Sequence, residues 1–306
     1  MDPVIIIFGF AIGALIGVTG MGGASLMTPL LILVFGVQPV TAVGTDIFYG
    51  AVTKTVGGWR HLRQGTVHRA IAFWLAVGAI PATAAGVWLI EFIQRQYGEE
   101  ELNQLVLGAL GAALLVVGVA TLLRSLFFAD VLPERHAMHL YRRHIIAAVV
   151  TGVITGFIIG LTSAGGGTFV AIALITIFRL TPQRVVGTSI FQAAVVLWAA
   201  GIAHWIGGNI DFGLAGNILL GSVPGVIVGS HISVRIPQGV LRNSLGVVLC
   251  GSAVALITKE QVPQSILLPS LALATVAIAA LFGYQIYLHR QLRTNGREAA
   301  APAKAG

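Results

Sequence analysis

Two short runs in this chain could bind an anion without any catalytic side chain: Gly22-Gly23-Ala24-Ser25 and Gly165-Gly166-Gly167-Thr168. Consecutive glycines let the backbone leave a helix and expose its amide N–H groups, and a helix that starts just afterwards points its positive end at the same place. Thr19, Ser25, Thr28, Thr162, Ser163 and Thr168 add hydroxyl donors beside them. A second pair of runs is Gly44-Thr45-Asp46 and Gly187-Thr188-Ser189, with Gln192 one turn further on. Asp46 is the only acid between Asp2 and Glu91. A carboxylate in an apolar helix is costly enough to be a functional candidate, as a carrier of a coupling proton or cation; it could also cap a helix start. Lys54 follows eight residues later, roughly 12 Å along a helix, which is too far for direct contact. Thr45, Thr188, Ser189 and Gln192 read either as ligands for substrate oxygens or as hydrogen bonders between helices. His61 and His204 read as gate or proton-relay residues, or as anchors of a helix end at the membrane interface.

These runs are not scattered. A shift of 143 residues carries one set onto the other and superposes eleven glycine pairs, from Gly9 on Gly152 to Gly108 on Gly251, where chance gives about three. The same shift places Pro39 on Pro182, Phe48 on Phe191, His61 on His204 and Pro81 on Pro224. The chain is an internal duplication.

The medium follows from composition. Hydrophobic residues make up 56% of the chain and charged residues 9%, against roughly 25% charged in an average soluble domain. Such a chain belongs in a bilayer, with lipid as its surroundings. Its net charge of +7 lies in short connections between apolar runs, so it reports orientation and gives no reason to expect a nucleic-acid partner. The single Cys250 lies in an apolar run and has no mate for a disulfide. The first apolar stretch lacks a basic leader and outruns signal-peptide length, so no cleavable signal is expected.

Ordinary spans are expected over residues 40–58, 70–90, 102–123, 185–205, 212–234, 240–257 and 266–288, each near the ~20 residues a crossing helix needs. Residues 4–35 and 144–180 are too long for one span and are broken at the glycine clusters, and the later piece of each is too short to cross. Arg60, Arg63 and Arg69 place one connection in the cytoplasm, Glu99 to Glu101 place the next outside, and Asp211 places its connection outside. The alternation closes when each broken segment enters and leaves on one side, which makes the two copies inverted. The expected fold is an all-α polytopic membrane protein of two inverted-topology repeats. Each repeat is a glycine-broken half-helix hairpin plus three spanning helices, and one extra C-terminal span follows. The units are repeat 1 over 1–128, a cytoplasmic connection over 129–143, repeat 2 over 144–260, the added span over 261–290 and a basic cytoplasmic tail over 291–306.

The ordered motifs resemble a known family. G-M-G-G-A-S or S-A-G-G-G-T, then proline, G-T-x-x-F, H-x-x-x-G, and a span opening toward P-A-x-x-x-G or S-V-P-G-V-I-V-G are similar to the TauE/SafE sulfite exporters, over residues 5–258. The resemblance implies a multi-pass carrier of the cytoplasmic membrane for a small sulfur-containing anion such as sulfite, a sulfonate or sulfoacetate, working as an exporter by alternating access. Carried over by position, the substrate region holds Gly22, Gly23, Ser25, Thr45 and Asp46 with Gly165, Gly166, Thr168, Thr188 and Ser189. The copies differ where Asp46 faces Ser189, Ala82 faces Gly225 and His68 faces Asp211. A cation or metal permease with Asp46 as ligand is the alternative. No catalytic constellation, metal-ligand spacing or nucleotide loop is present in the sequence, so neither an enzyme nor a cofactor is expected. Oligomeric state is not legible.

Overall fold

The computed structural model describes residues 3–19, 26–127, 141–164, 166–233 and 238–258. Gly22, Gly23, Ser25 and Gly165, most of the 129–143 connection, the expected span over 261–290 and the tail lie outside the described residues. Among the described residues the chain is all helix: α1 (Pro3–Thr19), α2 (Met27–Val34), α3 (Pro39–Arg63), α4 (Arg69–Tyr97), α5 (Glu99–Phe127), α6 (Arg142–Thr162), α7 (Gly166–Thr176), α8 (Pro182–Ile206), α9 (Phe212–Ser233) and α10 (Gln238–Ile257).

Equivalent helices begin alike because their sequences do. Pro39 and Pro182 open α3 and α8, and the residues before them, Gln38 and Thr181, are held at ψ 137 and ψ 151. Proline supplies the helical φ where an N–H would go unused, and it pushes the residue before it into extended backbone. The same two helices end in matching turns, where Gly65 and Gly208 take φ +70 and +74, a region open to glycine at little cost.

Among the described residues, five helices are long and apolar enough to cross a membrane: α4, α5, α6, α8 and α9. Large apolar side chains face outward along them, with Ile206 80% exposed and Trp88, Phe73 and Ile154 also exposed. In water such a surface would aggregate; against lipid chains it needs no cover. The 25-residue α3 is long enough to cross but too polar for that group, because it carries Thr45, Asp46 and Lys54. Of these, Thr45 and Asp46 turn inward, where partner helices cover them instead of lipid.

The second broken segment is a hairpin of unequal arms. The 21 residues of α6 suffice for a full crossing, longer than the half-helix expected from the sequence, whereas α7 has only 11. The hairpin still returns to where it started: the ring of His144 in the first turn of α6 lies 6.3 Å from that of Phe178, just past α7. In the first broken segment Phe8 and Phe35 meet in the same way, at 4.6 Å.

Packing crosses between the sequence copies. Gly9 and Gly13 of α1 lie on Ile218 and Ser222 of α9, and Gly152 and Gly156 of α6 lie on Leu75 and Ala79 of α4. Each is the 143-residue image of the other. A β-carbon added at any of these four glycines would strike backbone atoms of the facing helix, so the helices touch main chain to main chain. Thr83 of α4 donates to the Gly156 carbonyl at 2.7 Å across this seam. Between α3 and α8 the order is reversed. Gly44 meets Asn209 beyond the end of α8, Gly58 meets Phe191 near its start, and Trp198 Nε1 donates to Thr55 Oγ1 at 2.8 Å. Thr55 and Trp198 are themselves 143 residues apart, so the seam between the antiparallel α3 and α8 joins a position to its own image.

Candidate functional site

This seam buries an acid, Asp46, 3% exposed on α3. Its Oδ2 accepts two hydroxyl hydrogen bonds, one from Thr28 at 2.6 Å and one from Ser163 at 2.5 Å. Thr28 sits in the first turn of α2, just after the first glycine break, while Ser163 caps the end of α6, just before the second. Ser163 reaches the carboxylate from a left-handed backbone, φ +60, which turns the chain out of α6. The carboxylate therefore ties together both broken segments, one from each copy. Lys54 is half-buried on the same helix, and no ion pair joins it to Asp46 among the described residues.

The two Gly-Thr pairs form a reciprocal clasp. Thr45 Oγ1 accepts the backbone N–H of Asp211 at 3.1 Å, and Thr188 Oγ1 accepts that of His68 at 2.9 Å. Asp211 and His68 are again 143 residues apart. Beside each threonine a glycine lets the opposite turn come close: the Asn209 carbonyl rests on Gly44, and Thr66 rests on Gly187. Each clasp holds a turn of one copy against a helix start of the other. Asp211 also caps the next helix, its Oδ1 accepting from Leu214 N at 2.9 Å, and His68 Nδ1 accepts from Ile71 N at 3.4 Å.

One turn beyond Ser189 on α8 is Gln192. It is 1% exposed, and among the described residues neither its amide oxygen nor its amide nitrogen has a hydrogen-bond partner. Leaving such a group unpaired costs about 1–3 kcal/mol. Its image is Tyr49, one turn beyond Asp46 and 1% exposed. Ser189 bonds back to the Val186 carbonyl of its own helix at 3.1 Å. Of the remaining candidates, Gly166 packs against Ile159 and Gly167 faces open space.

The paired histidines part company. His204 is 0% exposed, its Nε2 lies 3.0 Å from the Gly160 carbonyl, and its Nδ1 has no partner. That is an interior position, unlike the interfacial anchor its place near a helix end suggests. His61 is half-buried in the last turn of α3 with Nδ1 3.0 Å from Thr66 Oγ1, and so braces the turn of the second clasp.

Sequence reasoning reached Asp46, Thr28, Ser163 and Gln192 but passed over Tyr49, Thr66 and Asn209. The repeat itself carried a usable signal, since Tyr49 is the image of Gln192, and Thr66 and Asn209 are images of each other.

If Gln192 contacts the transported molecule, Gln192→Leu should raise the substrate KM about tenfold, the value of one or two lost hydrogen bonds, while leaving the amount of folded protein unchanged or higher. Unchanged transport kinetics in a well-folded Leu variant would make Gln192 an ordinary buried amide.

Apolar outward faces, short paired hairpins and a polar seam inside define a multi-pass membrane transporter. Residues 5–256 match the family described as Sulfite exporter TauE/SafE, and the chain belongs to it. It is 37% identical over 257 residues to the "Probable membrane transporter protein YjnA" of Bacillus subtilis (strain 168), covering 84% of this chain and 100% of that protein. It is 28% identical to the "Probable membrane transporter protein YdhB" of the same organism, over 79% of this chain and 94% of the relative. A third relative, the "Probable membrane transporter protein MJ0441" of Methanocaldococcus jannaschii, is 22% identical over 81% of this chain and 90% of its own length. No solved structure matches the chain. The protein is a transporter and not an enzyme.

Proposed function

We propose that this protein is a secondary transporter that exports a small sulfur-containing anion, of the sulfite, sulfonate or sulfoacetate type, across the cytoplasmic membrane by alternating access. The observation that carries this reading is the meeting of both broken segments on Asp46. A substrate anion entering there meets the hydroxyls of Thr28 and Ser163 and the first turn of α2, groups that now satisfy a carboxylate of the protein itself. Gln192, Thr45, Thr188, Ser189, Gly166 and Thr168 complete the proposed substrate region with Gly22, Gly23, Ser25 and Gly165. Asp46 carries the coupling proton, and His61 and His204 border the two ends of the path.

Two inverted repeats, over 1–128 and 144–260, joined by a cytoplasmic connection and followed by a span and a cytoplasmic tail, give this site its two routes of access. The antiparallel run of α3 and α8, the bond between Thr55 and its image Trp198, and the mirrored clasps support that arrangement. Opening one clasp while the other holds would expose Asp46 to one side at a time.

Efflux and uptake in sealed membrane vesicles with a panel of labelled anions test the substrate class. Flux of sulfite or a sulfonate above that of empty vesicles is expected, and flux restricted to inorganic cations would overturn the reading. Topology has its own test. A tag inserted near Gln64 should be cytoplasmic and one near Gly208 external, and finding both on one face would replace inversion with a parallel duplication.

A further inference from the structure

The two ends of the α3–α8 seam are built on repeat-equivalent positions, yet their charges are opposed. At the end bearing the 207–211 turn, a small open pocket of about 30 Å³ is lined by Gln38, Thr41, Gln94, Glu99, Asn103 and Asn209. Asn209 is 7% exposed, and among the described residues its Nδ2 has no acceptor. The backbone of the same residue rests on Gly44, two residues from Asp46, which places the pocket directly outside the clasp. Acidic groups stand around it: Glu99 in its wall, Asp211 in the adjoining turn and, beside Gly207, Glu91, which is paired with Arg95 at 3.9 Å.

A shift of 143 residues puts basic residues at three of these positions. Arg184 stands where Thr41 stands, His68 where Asp211 stands, and the sequence places Arg242 where Glu99 stands. Arg184 lies in the first turn of α8, within electrostatic reach of His68. Burial pushes the His68 pKa below its ordinary value, and the Arg184 charge adds to that.

We propose that this charge asymmetry makes the Arg184 mouth the high-affinity face for the transported anion and the Glu99 mouth the low-affinity face from which it leaves. The proposal rests on the anion-transport reading above. A unit charge about 10 Å from an anion, at an effective dielectric constant between about 20 and 80, changes occupancy about two- to fifteenfold. A passive carrier cannot concentrate substrate through its own fixed charges. With no driving gradient, Vmax/KM must therefore be equal in the two directions, and the asymmetry appears as a lower KM matched by a lower Vmax on one side.

The test measures the KM for labelled sulfite from each face, in right-side-out and inside-out membrane vesicles at equal pH on both sides. The wild type should show a KM at least about threefold lower at the Arg184 face, and about 0.5 M salt should shrink that ratio, because the Debye length then falls to a few ångströms. Arg184→Gln should raise the KM at that face and leave the other unchanged, with Arg184→Lys restoring it. Glu99→Gln should lower the KM at the opposite face. If Arg184 serves only to orient the chain in the membrane, sulfite will cross with equal KM values from both faces and the variants will not move them, which overturns the asymmetry while anion transport stands. A wild type that carries neither sulfite nor any sulfonate overturns both.

Discussion

Asp46→Asn is expected to keep substrate binding and exchange while losing accumulation driven by a pH gradient. Asparagine has the size of a protonated aspartate, and its carboxamide oxygen can still accept from Thr28 and Ser163, which now bond Oδ2 at 2.6 and 2.5 Å. What it lacks is the ability to take up and release a proton. If one proton moves with each anion, a gradient of one pH unit supports about tenfold accumulation, and the Asn variant should reach only equal concentrations on both sides. Asp46→Ala should behave differently. It leaves two buried hydroxyls without their acceptor, at about 1–3 kcal/mol each, so it should lose folded protein as well as transport. Gradient-driven accumulation and counterflow in proteoliposomes separate the cases. Accumulation that survives in the Asn variant would reduce Asp46 to a structural tie between the two hairpins. Loss of binding and exchange together would make it a direct ligand, as a cation permease requires.

Why Asp46 was legible in the sequence and its setting was not is a question of range. A lone acid in an apolar run stands out by type alone, and the glycine breaks beside Thr28 and Ser163 stand out by spacing. That the two hydroxyls converge on a single carboxylate depends on contacts 18 and 117 residues apart, which no local pattern encodes. The same limit hid the exchange of α1 and α6 between the copies, because four-residue glycine spacing marks a packing face without naming its partner. The glycine cluster marks where α6 stops, but the segment before it is still long enough to cross. His204 misled because a position near a helix end reads as interfacial, whereas the Gly160 carbonyl of α6 lies across it. What the sequence did hold throughout was the 143-residue shift, which relates the two clasps, the α1–α9 and α4–α6 seams and the Thr55–Trp198 bond.

The glycine pairs turn that regularity into a stability prediction of opposite sign at two sites of identical type. Gly156 of α6 and its image Gly13 of α1 are pressed against backbone: an added β-carbon at Gly156 would strike the Ala79 carbonyl and Cα, and one at Gly13 would strike Ser222. No rotamer change can relieve a clash with main chain, so the helices must separate, and for Gly156 the bond from Thr83 to its carbonyl stretches as well. Gly156→Ala should therefore destabilise by about 1–3 kcal/mol, and Gly156→Val should prevent accumulation of folded protein. Gly251 of α10 and its image Gly108 of α5 have nothing within 4 Å of the added carbon. There alanine only removes backbone freedom from the unfolded chain, and Gly251→Ala should stabilise by a few tenths to about 1 kcal/mol. Thermal unfolding of the detergent-solubilised variants, read beside the yield of monodisperse protein, orders the three. Should Gly156→Ala and Gly251→Ala shift the transition equally, the main-chain contact between α4 and α6 would not be what holds these helices together.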